Sequence, residues 1–477
     1  MNGFGNKKTN VLLQVLFGIF VTKIGLACFF VVFCVSPLFA QTAKLPPPPL
    51  PPMTHSTPRA PGQKYIEEIW NELENATFAT PTFEELGTLH EGYSFDELWE
   101  LAQSSNPALR QKANMIRYAN GQRVQAGLYP NPALFYGGDN LGVHGGAGKH
   151  GLGLSQEIVT ARKKKLDRSI ASYDVAAARK EYSMEHTKLR NDLQIAHGEM
   201  IHAILICKVE DFAYDISADL LKVAQELQKA DKTKSLDVLH FRTELNAAGL
   251  HRKQAGMNRL AKWQSLVSIA GVPDLPYRPV RGSLIDHSPR RDWQSTWAQF
   301  QNTSPQLELL KLKIAQSRTN LTREKAERTP NFSATFSLAR DVRDKATVPF
   351  VGLEVPLKVF DRNQGNIMKA GAEVAIANQE LDRITLSLHK KLADVFCQYD
   401  SACELIQMYE KSIIPDSFEA LRQIGEDYVE GGEMTYHELY TQRQIVIEVL
   451  IKYIEALKTK SITKIQIDGM LLEGTLD

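Results

Sequence analysis

The stretch His144-Gly145-Gly146-Ala147-Gly148-Lys149-His150 has the glycine and lysine content of a phosphate-binding loop. Such a loop needs a glycine five residues before Gly148 and a Ser or Thr after the lysine, because backbone amides and a hydroxyl must converge on the phosphates and their metal. Val143 and His150 occupy those places, and the segment joins two expected strands rather than a strand and a helix. It reads as a hairpin loop at a membrane surface. His197 and His202 are five residues apart and do not share a helical face, and no Cys/His group has zinc spacing. Neither a Gly-x-Ser-x-Gly elbow, a paired-carboxylate pocket nor a dinucleotide fingerprint is present. The expectation is a protein that is not an enzyme and carries no cofactor or resident metal. The charged groups that stand out are Lys229, Lys232 and Lys234 in one turn and Glu426, Asp427, Glu430 and Glu433 in another.

The elements that would place those turns follow from the composition. Of 477 residues, 43% are hydrophobic and 23% charged, a globular balance, with formal net charge +1. No basic excess argues for nucleic acid. Lys7, Lys8 and Lys23, the uncharged run Ile24 to Val35 and the small residue Ala40 read as a cleaved signal peptide over residues 1–40. An uncleaved anchor over Val11 to Val35 is the alternative, and Lys23 in its middle argues against it. Gly25-Leu26-Ala27-Cys28 half-resembles a lipidation box. No later segment is long and apolar enough for a membrane helix, so insertion would have to use strands. Cys207, Cys397 and Cys403, an odd number on expected helices, form no disulfide framework and are expected to be buried.

Residues 41–93 form an N-terminal extension with Pro46 to Pro49, Pro51, Pro52, Pro58 and Pro61, an extended spacer, and a short helix is expected around Tyr65 to Glu74. Beyond it the chain repeats itself with an offset near 200, as residues 94–290 and 291–477. Asn106-Pro107-Ala108-Leu109 matches Ser304-Pro305-Gln306-Leu307, and Pro130-Asn131 matches Pro330-Asn331. Gly153 to Ile158 matches Gly352 to Leu357, and Asp237-Val238-Leu239 stands opposite His437-Glu438-Leu439. Each copy opens with a helix; in the first, Ser94-Phe95-Asp96-Glu97 is a capping box and the helix runs to about Gly127. A β-hairpin follows, about 131–158 and 331–357. In the second, Phe332, Ala334, Phe336 and Leu338 alternate with Ser333, Thr335 and Ser337, and Val351, Leu353 and Val355 with Gly352, Glu354 and Pro356. Period two with one greasy and one wet side is a half-buried sheet.

Long helices come next. Residues 160–229 hold no proline, which at 1.5 Å per residue is ~105 Å if unbroken. Leu189, Leu193, Ala196, Met200 and Ala203 keep 4-3 spacing, as do Leu388, Leu392, Val395, Tyr399, Ala402, Ile406, Tyr409 and Ile413, the pattern of coiled-coil seams. Each long helix turns near Asp231 to Ser235 or Glu430 to Thr435, and a shorter one returns, with Val446, Leu450, Tyr453 and Leu457 on one stripe. Four strands with open edges cannot sit in lipid unless other copies of the chain close them.

These residues, with Gly352 to Asn366 and Tyr428-Val429-Glu430-Gly431-Gly432-Glu433, resemble the outer-membrane efflux protein family, the TolC-like outer-membrane factors, over about residues 94–473. The resemblance implies a mainly α fold with membrane β structure: a homotrimer with a twelve-stranded outer-membrane barrel in lipid and a tunnel of coiled-coil helices in the periplasm. It implies a passive exit duct in a tripartite system, partnered by a periplasmic adaptor (membrane-fusion) protein and an inner-membrane efflux pump. The run Phe360 to Asn366 looks most like the branch serving heavy-metal cation exporters. The competing expectation is a periplasmic coiled-coil scaffold or adaptor without a barrel. Candidate adaptor or gate residues at the helical tips are Asp231, Lys232, Lys234, Asp237, Glu430, Gly431, Gly432 and Glu433; Pro130, Asn131, Pro330, Asn331 and Pro356 bound the hairpins. Asp231-Lys232 replaces the glycine the family has at the first tip, so docking there is expected to differ.

Overall fold

The computed structural model describes residues 87–142, 147–229, 234–430 and 435–475, all within the unit that spans 63–477. The signal peptide, the proline-rich stretch, the short helix at Tyr65 to Glu74 and most of both tips lie outside them. In chain order the elements are β1 (Thr88–Leu89), α1 (Phe95–Ser105), α2 (Pro107–Gly127), β2 (Ala133–Asp139), β3 (Lys149–Ile158), α3 (Lys163–Lys229), α4 (Ser235–Ile269) and β4 (Gly282–Ser283). There follow α5 (Trp293–Thr303), α6 (Pro305–Ala326), β5 (Phe332–Asp341), β6 (Thr347–Glu354), α7 (Gln364–Met408), a π turn (Tyr409–Ile413), α8 (Ile414–Glu430) and α9 (Tyr436–Asp468).

The opening helix of each copy is two helices, not one. Ser94 and Glu97 form the expected capping box, but the chain breaks at Asn106, whose ψ of 125° is extended. Pro107 is the cause: its ring keeps the preceding residue out of the helical region, while proline itself suits a first helical turn. Asn106 is fully buried; its Oδ1 accepts the Ala108 amide (2.8 Å) and its Nδ2 donates to the Ile269 carbonyl (2.9 Å). Ser304 before Pro305 makes the same break.

The 67-residue α3 is the axis, packing on α2, α4, α6 and α9. Leu189, Leu193, Ala196, Met200 and Ala203 are all buried, as are Val446, Leu450, Tyr453 and Leu457. On α7 the seam runs through Leu388, Leu392, Tyr399, Ala402 and Ile406 and then jumps one residue, to Ile414, Phe418 and Leu421 rather than Ile413. The π turn makes the jump: the Ile414 amide donates to Tyr409, five residues back. Pro415 has no amide, and its ring would meet the carbonyl four residues earlier, so the extra residue relieves that conflict and re-phases the stripe. Cys207 is buried as expected, but Cys397 is exposed and Cys403 only half-buried, because Phe396 and Tyr399 hold the inner face of α7 at that level.

Where β1 pairs with β4, Trp263 packs between Tyr93 (centroids 6.0 Å) and Tyr277 (5.4 Å). Nearby on α3, His202 is largely buried with its Nε2 unpartnered. Burial, then the charges of Lys458 and Lys262, push its pKa down to about 4 from an ordinary 6.5. The folded protein therefore keeps His202 neutral where the unfolded chain takes up a proton, so stability is full above pH 6.5 and declines as pH falls from 6.5 toward 4. His202→Leu should flatten that slope in melting midpoints measured across the same window.

Candidate pore wall and its root

The two hairpins lie side by side in one antiparallel sheet, ordered β2-β3-β5-β6, with β2 and β6 as free edges. Registration stacks apolar residues of the four strands on shared rungs. Leu134, Leu154, Phe336 and Val351 form one rung and Tyr136, Leu152, Leu338 and Pro349 the next but one, all on one face. Leu134 (71%), Phe336 (50%) and Val351 (78%) stand open to the surroundings. The opposite face carries Ala133, Ser155, Thr335 and Gly352 on one rung and Gly137, Gly151, Ala339 and Val348 on another. The ten residues each of β3 and β5 match what a tilted strand needs to cross a bilayer. No helix among the described residues is long and apolar enough to do so. Val355 and Pro356, expected in the return strand, lie beyond it: β6 ends at Glu354, opposite Ser333, the second residue of β5.

His150, where a phosphate loop would carry Ser or Thr, is a strand residue stacked on Tyr136, with its Nδ1 2.5 Å from the Tyr136 hydroxyl. The segment does join two strands, β2 and β3; its residues 143–146 lie outside those described.

The root of the sheet is a polar knot. Lys163, first residue of α3, has a side chain only 1% exposed. Its Nζ donates to Asn331 Oδ1 (2.8 Å) and lies 3.4 Å from Glu327 Oε1. Asn331 Nδ2 donates to Glu157 Oε1 (2.7 Å), and the Thr160 hydroxyl to the Pro330 carbonyl (2.7 Å). Arg323 joins Asp167 (2.6 Å) to Glu327 (2.6 Å). Burial alone would raise the Glu327 carboxyl, but Arg323 and Lys163 outweigh it and hold its pKa below the usual range. At the second corner Asn363 Nδ2 donates to the Glu324 carbonyl (2.9 Å), so both strand-to-helix corners grip the last turn of α6. The corners turn through left-handed backbone, with φ of 54° at Ala161, 55° at Arg162 and 61° at Asn363, a conformation that asparagine adopts more readily than alanine or arginine.

Of the hairpin-boundary residues, Pro330 and Asn331 meet in this knot, and the Pro130 carbonyl accepts Gln156 Nε2 (2.9 Å). Asn131 stands exposed ahead of β2, and Pro356 stands exposed beyond the end of β6. Lys163, Thr160, Arg323 and Glu327 are additions, signalled in the sequence only by the basic run Arg162 to Lys165 shortly after a strand, whereas Asn363 lies in the run Phe360 to Asn366 noted above. At the tips, Asp237 accepts the Lys234 backbone amide (3.1 Å), which caps α4, and Glu438 caps α9 through the Thr435 amide (2.6 Å). Asp237 therefore corresponds to Glu438 rather than His437: α7 starts one residue later in its copy than an offset of 200 would place it. Glu430 ends α8; Asp231, Lys232, Gly431, Gly432 and Glu433 lie outside the described residues.

This arrangement of strands and helices superposes on solved channels. The outer-membrane channel OprN superposes with a TM-score of 0.68 at 17% identity, over 80% of this chain and 90% of that one. CusC does so at 0.65 and 13%, over 83% and 99%. The chain has the fold of the TolC-like outer-membrane channels. In sequence, this channel fold is 21% identical over 361 residues to the cobalt-zinc-cadmium resistance protein CzcC of Cupriavidus metallidurans, covering 75% of this chain and 84% of CzcC. No protein-family model matches the chain.

Proposed function

We infer that this protein is the outer-membrane exit duct of an efflux system, working as a homotrimer whose three sheets close into one barrel. The carrying observation is the four-stranded sheet with one exposed apolar face and two unpaired edges. Water tolerates neither the face as a free surface nor the edges as stable ends, and lipid tolerates the face only if the edges are closed. Sister chains supply that closure by pairing β2 of one with β6 of the next, and twelve strands fall in the usual barrel range. The helices continue the barrel as a periplasmic tunnel, to which an adaptor and an inner-membrane pump deliver cargo. The likeness to CzcC favours heavy-metal cations as that cargo. A periplasmic scaffold would share the helices but leave the apolar sheet face unexplained. Fractionation tests the reading: a duct stays with the outer membrane through salt and alkali washing, needs detergent, and runs as a trimer that heating dissociates. A monomer released by salt would overturn it.

At the entrance, the basic first tip and the acidic second tip of neighbouring hairpins pair and hold the tunnel shut until the pump complex separates them. Reversing the charges of Lys232 and Lys234 to glutamate should raise single-channel conductance in planar bilayers; unchanged conductance would count against tip pairing. Exposed pairs contribute only ~0–1 kcal/mol each, so the closure depends on several acting around the ring.

A further inference from the structure

The wet face of the sheet carries two aromatic residues that do not belong there by pattern. Phe135 and Phe350 share a rung, Phe135-Gly153-Ser337-Phe350, whose other members are small. They are 38% and 56% exposed on the side opposite Leu134, Phe336 and Val351. Glycine explains how the rings lie. A Cβ added at Gly153 would stand 2.5 Å from Phe135 Cζ, and one at Gly352 would stand 2.8 Å from Phe350 Cε1. Each ring therefore lies close over a glycine along the wall, and at these exposures both keep ring surface open on that side. A ring face is the negative side of the aromatic quadrupole and attracts cations. The same wall carries Asp139 and Asp341 toward the hairpin ends and Glu157 and Glu354 toward the root. Its one opposing charge among the described strand residues is Lys149, 3.6 Å from Asp341.

We propose that Phe135 and Phe350 form an aromatic belt inside the barrel that binds weakly hydrated organic cations in transit. The belt rests on the duct reading, which puts this face in the lumen and repeats the pair around the trimer. Apart from Val348 beside Phe350, the wall residues next to the rings are small (Ala133, Gly137, Gly151, Ser155, Thr335, Ala339, Gly352), and the acidic rungs raise the local cation concentration. A quaternary ammonium ion gives up little hydration on meeting a ring face, whereas a hydrated divalent ion keeps its water and passes.

The test uses the purified trimer in planar bilayers, with tetrapropylammonium added on the side facing the hairpin loops. The wild type should be blocked, and the double variant Phe135→Leu/Phe350→Leu, which keeps apolar bulk but removes both ring faces, should need about tenfold more for half-block. Phe135→Trp/Phe350→Trp keeps the rings and should tighten the block. Equal block in all three, or no block of a conducting wild type, overturns the belt while leaving the duct intact. Absence of any trimer or conductance overturns the duct reading itself and the belt with it.

Discussion

Phe336→Arg should abolish the heat-sensitive trimer in the outer membrane, whereas Thr335→Arg, one residue away, should leave it assembled. Phe336 lies in the middle of the exposed apolar face, on the rung with Leu134, Leu154 and Val351, and Thr335 on the opposite face beside Ser155 and Gly352. An arginine on the lipid side of a barrel costs about 2–4 kcal/mol at mid-membrane and little on the lumen side. The trimer repeats that penalty in every chain, so the outward substitution acts on assembly several-fold more strongly than a single value implies. Thr335→Arg adds positive charge to the wet wall and should lower cation preference, read as a shift in reversal potential under a salt gradient. Identical behaviour of the two variants would remove the distinction between faces on which the barrel depends.

This contrast was visible in the sequence because period two is a strong local signal: Phe332 to Leu338 alternate over seven residues with no exception. The helical seams were visible for the same reason, and Leu189 to Ala203 are buried in the spacing their types require. What local pattern did not show was any event that depends on a partner far along the chain. Asn106 reads as one more polar helix residue until Pro107 is weighed against the helix ladder and the Ile269 carbonyl is found to take its amide. The one-residue jump from Ile406 to Ile414 has no signature except Pro415, and a proline alone does not say whether a helix ends, kinks or swallows an extra residue. Asn331 was marked as a boundary, and its role as the link between Lys163 and Glu157 lies 168 and 174 residues away in sequence. Cys397 shows the limit of composition: cysteine favours burial as a type, but its place on α7 is fixed by which face Phe396 and Tyr399 occupy.

The root of the wall should tolerate substitution less well than the surface ion pairs, and Lys163→Met measures it. A buried amine with two partners differs from the surface ion pairs around it. Lys369 and Glu373 are 3.9 Å apart with the lysine side chain 74% exposed, so Lys369→Met should cost under about 1 kcal/mol. Removing the Lys163 charge leaves Glu327 with Arg323 as its remaining ion-pair partner and takes from Asn331 Oδ1 its closest donor. Losing these charge-assisted contacts from a buried amine costs about 1.5–3 kcal/mol. The loss should appear as a lower temperature for trimer dissociation, since the knot fixes both hairpins on the last turn of α6 and thereby the angle at which the sheet meets its neighbours. Asn331→Ala removes the same link from the other side. If the knot acts as a unit, Lys163→Met should cost clearly less in the Asn331→Ala background than alone. Additive effects would mean that lysine and asparagine stabilise the corner independently, and that the two repeats are not clamped to each other at the base of the barrel.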